Sequence, residues 1–368
     1  RPTRVPASDS IVLTFAPVLV WADRRQSAMI QDRIGPIRAG IPIAGHNVAL
    51  WGLLHPLADA LKFMWKEDFI PPRADRLLHA LAPIVAVIPA IAAFAVIPFG
   101  DRIYLDHLSE TLPVAPTGAG IAFQVASLDI GILFVFAVAG TGVVGAALAG
   151  YCSDNKYALL GGLRAAGQMV SYEVSLGLSL VGCFMLYDTL QLDEMVRWQA
   201  DHVWGVFLQP LAFVLFFAGS IAETKRIPFD VPEGESELAA GYFTEYSGMK
   251  FGMFMMGEYI EIVAHCSILT ALFFGGWDVF GALTPQGLFG IELPHVAVSV
   301  LNTLVFMGKV VILCWLHLMI RWSLPRFRYD QIMKLCWQYI LPLSLVNIFY
   351  SGILVLFVLP WWNSITGQ

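Results

Sequence analysis

The chain has 368 residues, 57% of them hydrophobic and only 14% charged. Such a composition excludes an ordinary soluble globule and points to a polytopic membrane protein whose length is consumed by spans. A net charge of −6 speaks against nucleic acid as a partner.

Eight apolar segments of roughly 20 residues or more predict eight membrane-spanning helices in a single all-α bundle. They cover 10–31, 78–99, 119–150, 158–187, 203–222, 246–276, 294–320 and 331–361. The first is the weakest, because Asp23, Arg24 and Arg25 follow closely on its apolar core, Ile11–Ala22. After it comes a long connection. There Asn47–Glu67 places Leu50, Leu53, Leu54, Leu57, Leu61 and Met64 on one helical face, away from Asp59, Lys62 and Lys66. This amphipathic helix reads either as interfacial, lying along the membrane, or as a surface helix packed on the bundle. Of the 22 basic residues, all but Arg1, Arg4, Arg102, Arg197 and Lys309 fall in the odd-numbered connections. The positive-inside rule puts those loops in the cytoplasm and both termini outside, in the periplasm if the membrane is a bacterial inner membrane.

Ionisable residues inside the spans are few. Asp129, Glu173, Glu258, Glu261, His265 and Lys309 each admit a structural reading, as an interhelical hydrogen-bond partner, and a functional one. The cysteines at 152, 183, 266, 314 and 336 form no CxxC or CxxH pair, so they read as buried fillers. No nucleotide loop, haem, zinc or iron–sulfur motif is visible.

Gly219–Glu261 carries the densest charge. Pro228 and Pro232 break any helix, and Glu223, Asp230, Glu233, Glu235, Glu237, Glu245, Glu258 and Glu261 face only Lys225, Arg226 and Lys250. Charge alone admits a solvated acidic surface loop. It also admits a folded loop whose acids converge on one wet cavity.

Several blocks then carry a resemblance. They are QDRIGPIRAG at 31–40, PLADALKFMWKED at 56–68, SDNKYALLGGLRAAGQMVSYEVSLG at 153–177 and AETKRIPFDVPEGESELAAGYFTEYSGMKFGMFMMGEY at 222–259, with LPRFRYDQIMKLCWQYILP at 324–342 as a coda. With them the chain resembles, over nearly its whole length, the NuoH-type membrane subunit of respiratory complex I, known in mitochondria as NADH dehydrogenase subunit one. Asp23 stands where that family usually has Glu, Ile37 where it has Asn, and Lys225 where Asn is common.

The resemblance implies a subunit of a proton-translocating NADH:quinone oxidoreductase that has no redox centre of its own. Quinone is the substrate, and FMN and Fe–S clusters are expected in partner subunits. The cytoplasmic loops would dock the peripheral-arm quinone-site and Fe–S subunits. Small membrane-arm subunits, antiporter-like subunits and lipid would flank the bundle, in a bacterial inner membrane more readily than a mitochondrial one. Carried over by position, Arg33, Asp59, Arg226 and Phe229 would line the quinone tunnel. Glu173, Glu223, Asp230, Glu233, Glu235, Glu237, Glu245 and Glu258 would form the proton path, with Arg164 tuning the field near Glu173. Two rivals are a membrane subunit of a related membrane-bound hydrogenase and a stand-alone ion or solute carrier. Carriers usually show two related halves, which this sequence lacks.

Overall fold

A computed structural model describes residues 7–43, 46–48, 50–101, 123–279, 283–284, 287–288, 291–292 and 295–358. Among them the chain is almost wholly helical. The helices are α1 (Ala7–Ile30), α2 (His55–Trp65), α3 (Arg76–Ala93), α4 (Gly131–Ala139), α5 (Thr141–Cys152), α6 (Lys156–Tyr187), α7 (Leu192–Asp201) and α8 (Gly205–Leu208). They continue as α9 (Pro210–Glu223), α10 (Glu235–Leu238), α11 (Gly248–Phe273), α12 (His295–Ser323), α13 (Tyr329–Lys334) and α14 (Leu341–Ile353). Strand is confined to short antiparallel pairs in two connections, such as Ile41–Ile43 with His46–Val48.

Six helical segments are long and apolar enough to cross a membrane among the described residues. They are Arg76–Val96, Gly131–Cys152, Lys156–Tyr187, Gly248–Phe273, Ala297–Ser323 and Tyr329–Phe357. Two segments expected to span depart from that standard for visible reasons. Helix α1 is long, yet Asp23, Arg24 and Arg25 interrupt its last turns. The segment expected at 203–222 is broken at Gln209, ahead of Pro210, which leaves α9 with 14 residues. At 1.5 Å per residue α9 is about 21 Å long, short of an apolar layer of about 30 Å. Residues 119–122 lie outside the described residues, and 123–130 are not helical, so the helix expected over 119–150 begins at Gly131.

Helix α11 is the axis of the bundle. Its most apolar window is 89% buried, against 56% or less in each of the other five segments. It packs on α1, α3, α9 and α12, while α6 packs on α5, α9 and α14. Outer faces are apolar and exposed, as at Val170, Leu304, Ile312, Phe349 and Leu356, which suits lipid contact. Helix α2 buries none of its residues, and Leu57, Leu61, Met64 and Trp65 stand exposed on it.

The first part of the acidic segment between α9 and α11 is packed inside the protein, whereas Glu237 further along is exposed. Thr224, Lys225, Arg226, Phe229, Asp230 and Val231 are each 7% exposed or less, so the reading of a solvated surface loop does not hold for this part. Gln168 on α6 clamps the loop, its Nε2 donating to the carbonyls of Ala222 and Phe229 at 2.8 Å each. From the other side Phe327 N donates to Pro228 O at 3.0 Å. Gly241 has φ +54°, and a Cβ there would meet Pro232 O at 1.8 Å, so the turn admits only glycine.

Candidate functional site

A cavity of about 450 Å³ opens between α1, α2 and α11. Its walls are largely apolar, with Ala16, Val20, Phe63, Phe251, Met255 and Met256 among them. Its polar groups are Asp23, Arg24, Asp59, Lys62, Lys66 and Tyr259. A concave apolar chamber with a few polar groups is the form that binds an amphipathic small molecule. Arg24 is ion-paired with Asp59, and Lys62 Nζ lies 3.5 Å from the same carboxylate.

Asp23 anchors one side of the chamber. Its carboxylate accepts from Tyr259 Oη at 2.8 Å, Arg321 Nη1 at 2.5 Å and Trp322 Nε1 at 2.7 Å. Those donors come from α11 and α12, so one side chain ties α1 to both. Tyr259 leads inward, because the Arg226 guanidinium lies 4.7 Å from its ring centroid. Arg226 Nη2 is in turn 2.8 Å from Glu258 Oε2, with both side chains 4% exposed or less. Tyr242 Oη donates to the other Glu258 oxygen at 3.3 Å. Burial works against the Arg226 charge, but the Glu258 carboxylate outweighs it and holds the guanidinium above its ordinary range, fully charged.

Around this pair stand Asp230 and Glu233. Asp230 is ion-paired with Arg326. Burial pushes its carboxyl up, and the Arg326 hydrogen bond and charge oppose that rise. Glu233 Oε1 is shut off from solvent with no hydrogen-bond partner. Burial raises its carboxyl well above the usual range, the Glu258 charge adds to this, and Arg226 opposes it. Folded protein therefore keeps a proton on Glu233 that the unfolded chain releases above about pH 4.5. The associated stability is full below that pH and falls as pH rises toward the elevated value. Glu233→Gln removes this titration, so its melting temperature in detergent should gain on wild type as pH rises above about 4.5. A pH-independent difference between the two would contradict the assignment.

The remaining expected residues separate. Glu223 meets His265 at 3.0 Å and lies within electrostatic reach of Glu173. Glu173 faces the break between α4 and α5, where a Cβ on Gly140 would sit 2.6 Å from its Oε1. Glu237 pairs with Arg164 at 2.9 Å, and Arg164 also lies over the Tyr329 ring, more than two turns along α6 from Glu173. Glu245 accepts from Asn155 Nδ2 at 2.8 Å, while its carbonyl meets His79. Glu235 begins α10, and its side chain lies outside the described residues. Of the residues expected at the tunnel, Asp59 lines the chamber and Arg226 sits behind Tyr259. Arg33 donates to Gln31 and Ser27 and lines a separate recess with Arg38 and His55. Phe229 packs on Tyr172 and Phe327 in another part of the core.

Sequence reasoning missed Tyr259 and Arg321, and treated Asp23 only as a charge that weakens the first span and as a departure from the family's pattern. Asp23 was legible as an acid interrupting an apolar run, but its partners lie 236 to 299 positions away. Among the described residues no group of three or more His, Cys, Asp or Glu is disposed to hold a metal ion, and all five cysteines are free and buried.

Comparison with known proteins agrees over the same length. The family model described as NADH dehydrogenase matches residues 7–352. The chain belongs to the NuoH family of NADH dehydrogenase subunits. One relative, the H-type subunit numbered 2 of the NADH-quinone oxidoreductase of Geobacter sulfurreducens, is 46% identical over 95% of this chain and 94% of its own. The correspondingly numbered H-type subunit of Geobacter metallireducens is 42% identical over 94% of this chain and 92% of its own. The H-type subunit numbered 1 of Cytophaga hutchinsonii is 40% identical over 96% and 95%. These bacterial relatives, with the six apolar helices, mark a bacterial inner-membrane protein that is one subunit of a larger oxidoreductase.

Proposed function

We propose that this chain forms the membrane end of a quinone tunnel and couples quinone reduction to proton translocation within an NADH:quinone oxidoreductase. In this reading α1 and α9 complete a set of eight spans, both termini face the periplasm, and α2 lies in the membrane interface. The cytoplasmic loops dock the peripheral quinone-site and Fe–S subunits, which bring the electrons, FMN and clusters. Small membrane-arm and antiporter-like subunits flank the bundle.

One observation carries the proposal. Tyr259 lines the chamber and also forms the ring against which Arg226 rests, so a single side chain separates the chamber from the buried Arg226–Glu258 pair. Quinone reduction draws in protons and changes local charge. In a water-poor interior such a change acts strongly on a pair held this close. Glu258, Glu233 and Asp230 can answer by shifting a proton, and Glu223 and Glu173 continue the acid chain toward the membrane arm.

The chamber is tested by filling it. Ala60 lines it from α2. Ala60→Trp in the assembled complex should raise the quinone KM roughly tenfold, a loss of about 1.4 kcal/mol of binding. Electron input from NADH to a soluble artificial acceptor should stay unchanged. An unaltered quinone KM would place the substrate elsewhere.

A further inference from the structure

We infer that Glu261 and His265 join Glu223 around a trapped water to form a proton-holding site, a branch of the acid chain inside the membrane. It rests on the coupling function proposed above. On α11, Glu258, Glu261 and His265 follow at i, i+3 and i+7 and so share one face. Glu258 is taken by Arg226. The next turn presents Glu261 and His265 to Glu223, the last residue of α9.

The hydrogen-bond geometry requires a labile proton there. His265 Nδ1 lies 2.9 Å from the Glu261 carbonyl oxygen, which can only accept, so Nδ1 carries hydrogen. In the neutral ring Nε2 is then bare. Yet Nε2 lies 3.0 Å from Glu223 Oε2. A hydrogen bond at that contact needs one further proton, held by the imidazole or by the carboxyl. Beside it is a cavity of about 20 Å³ lined by Glu223, Glu261, His265 and otherwise apolar side chains. That volume fits one water. Glu261 Oε2 is shut off from solvent with no hydrogen-bond partner, and such a water supplies the missing donor. A proton can then pass between Glu261 and the Glu223–His265 pair.

The charged surroundings are few. Lys225 and Glu258 face Glu261, His317 on α12 faces His265, and Glu173 on α6 faces Glu223. Helices α3 and α4 bring only apolar side chains to the cavity. A Cβ on Gly142 would sit 3.9 Å from Glu261 Oε1, so Glu261 reaches the same α4–α5 break that Glu173 faces.

The test uses the whole complex in sealed vesicles, with Glu261→Gln, His265→Gln, their double variant, Glu261→Asp and Glu258→Gln. Each of the first two should shift the pH profile of quinone reduction. Each should also lower turnover and pumping roughly tenfold, as when one proton donor is mistuned by about one pKa unit. Glu261→Asp should recover most of the loss, and the double variant should lose no more than the worse single, because members of one unit are non-additive. Wild-type pH profiles in both singles, or losses that multiply in the double, would overturn the site. If Glu258→Gln is impaired while both singles are normal, this site alone fails. If all three are normal, the coupling function beneath it fails. Where a single does not assemble, redox-induced infrared difference spectra serve instead. A carboxylic acid C=O band that moves in D2O and in Glu261→Asp supports the site, and its absence overturns it.

Discussion

Arg226→Met is expected to destabilise the protein by about 3–5 kcal/mol, because it strands the Glu258 carboxylate in a buried setting. The steady-state amount of assembled complex, read on blue-native gels, should fall sharply. Pairing it with Glu258→Gln removes the stranded charge, and most of the stability should return, since a buried ion pair replaced by neutral groups is often near neutral in cost. Activity should behave differently. Glu258→Gln alone, and the double variant, should lose roughly 10²-fold or more of quinone-reductase turnover per assembled complex, the scale of losing a positioned proton carrier. Stability rescued without turnover separates the two roles. Wild-type turnover in the double variant would leave the pair structural only.

Asp23→Ala should produce the second large effect, by leaving Tyr259, Arg321 and Trp322 without their shared acceptor. Each stranded donor costs about 1–3 kcal/mol where water cannot reach it. Because Asp23 and Tyr259 both line the chamber, the loss should appear first in quinone KM and only then in turnover. Asp23→Asn keeps one acceptor oxygen and should fall between. Steady-state kinetics over a quinone series, normalised to assembled complex, checks this. An unchanged KM in Asp23→Ala would remove Asp23 from the substrate site.

Much of this was legible in the residues. The long apolar runs announce themselves by length, and the broken acidic segment by its prolines and charge. Periodicity marks Glu258, Glu261 and His265 as one helix face. Other features depend on contacts that no local pattern encodes. Residues 123–130 look apolar enough to extend α4. They are instead drawn into irregular backbone by hydrogen bonds from Phe99 N to Phe123 O and from Ala126 N to Ala95 O. Gln209 looks like part of a span, but it hydrogen-bonds Ser351 on α14 and ends α8 ahead of Pro210. Phe229 sits among the loop acids in sequence, yet the turn at Pro228 sends it toward Tyr172 and away from the chamber. Whether the acidic loop was solvated could not be settled from charge. For the stretch 224–231 it is settled by Gln168, a neutral residue in a different helix, whose amide holds that part of the loop indoors, while Glu237 further on stays exposed beside Arg164.

The most direct test of a quinone chamber joined to the acid chain is photolabelling of the intact, membrane-embedded complex with a quinone carrying a photoreactive tail. Labelled peptides of this chain are then mapped by mass spectrometry, with and without excess quinone. The chamber predicts label on Phe63 in α2 and on Phe251, Met255 or Met256 in α11, abolished by competing quinone and weakened in Ala60→Trp. Competable label confined to other subunits, or to surfaces of this chain away from α1, α2 and α11, would contradict it.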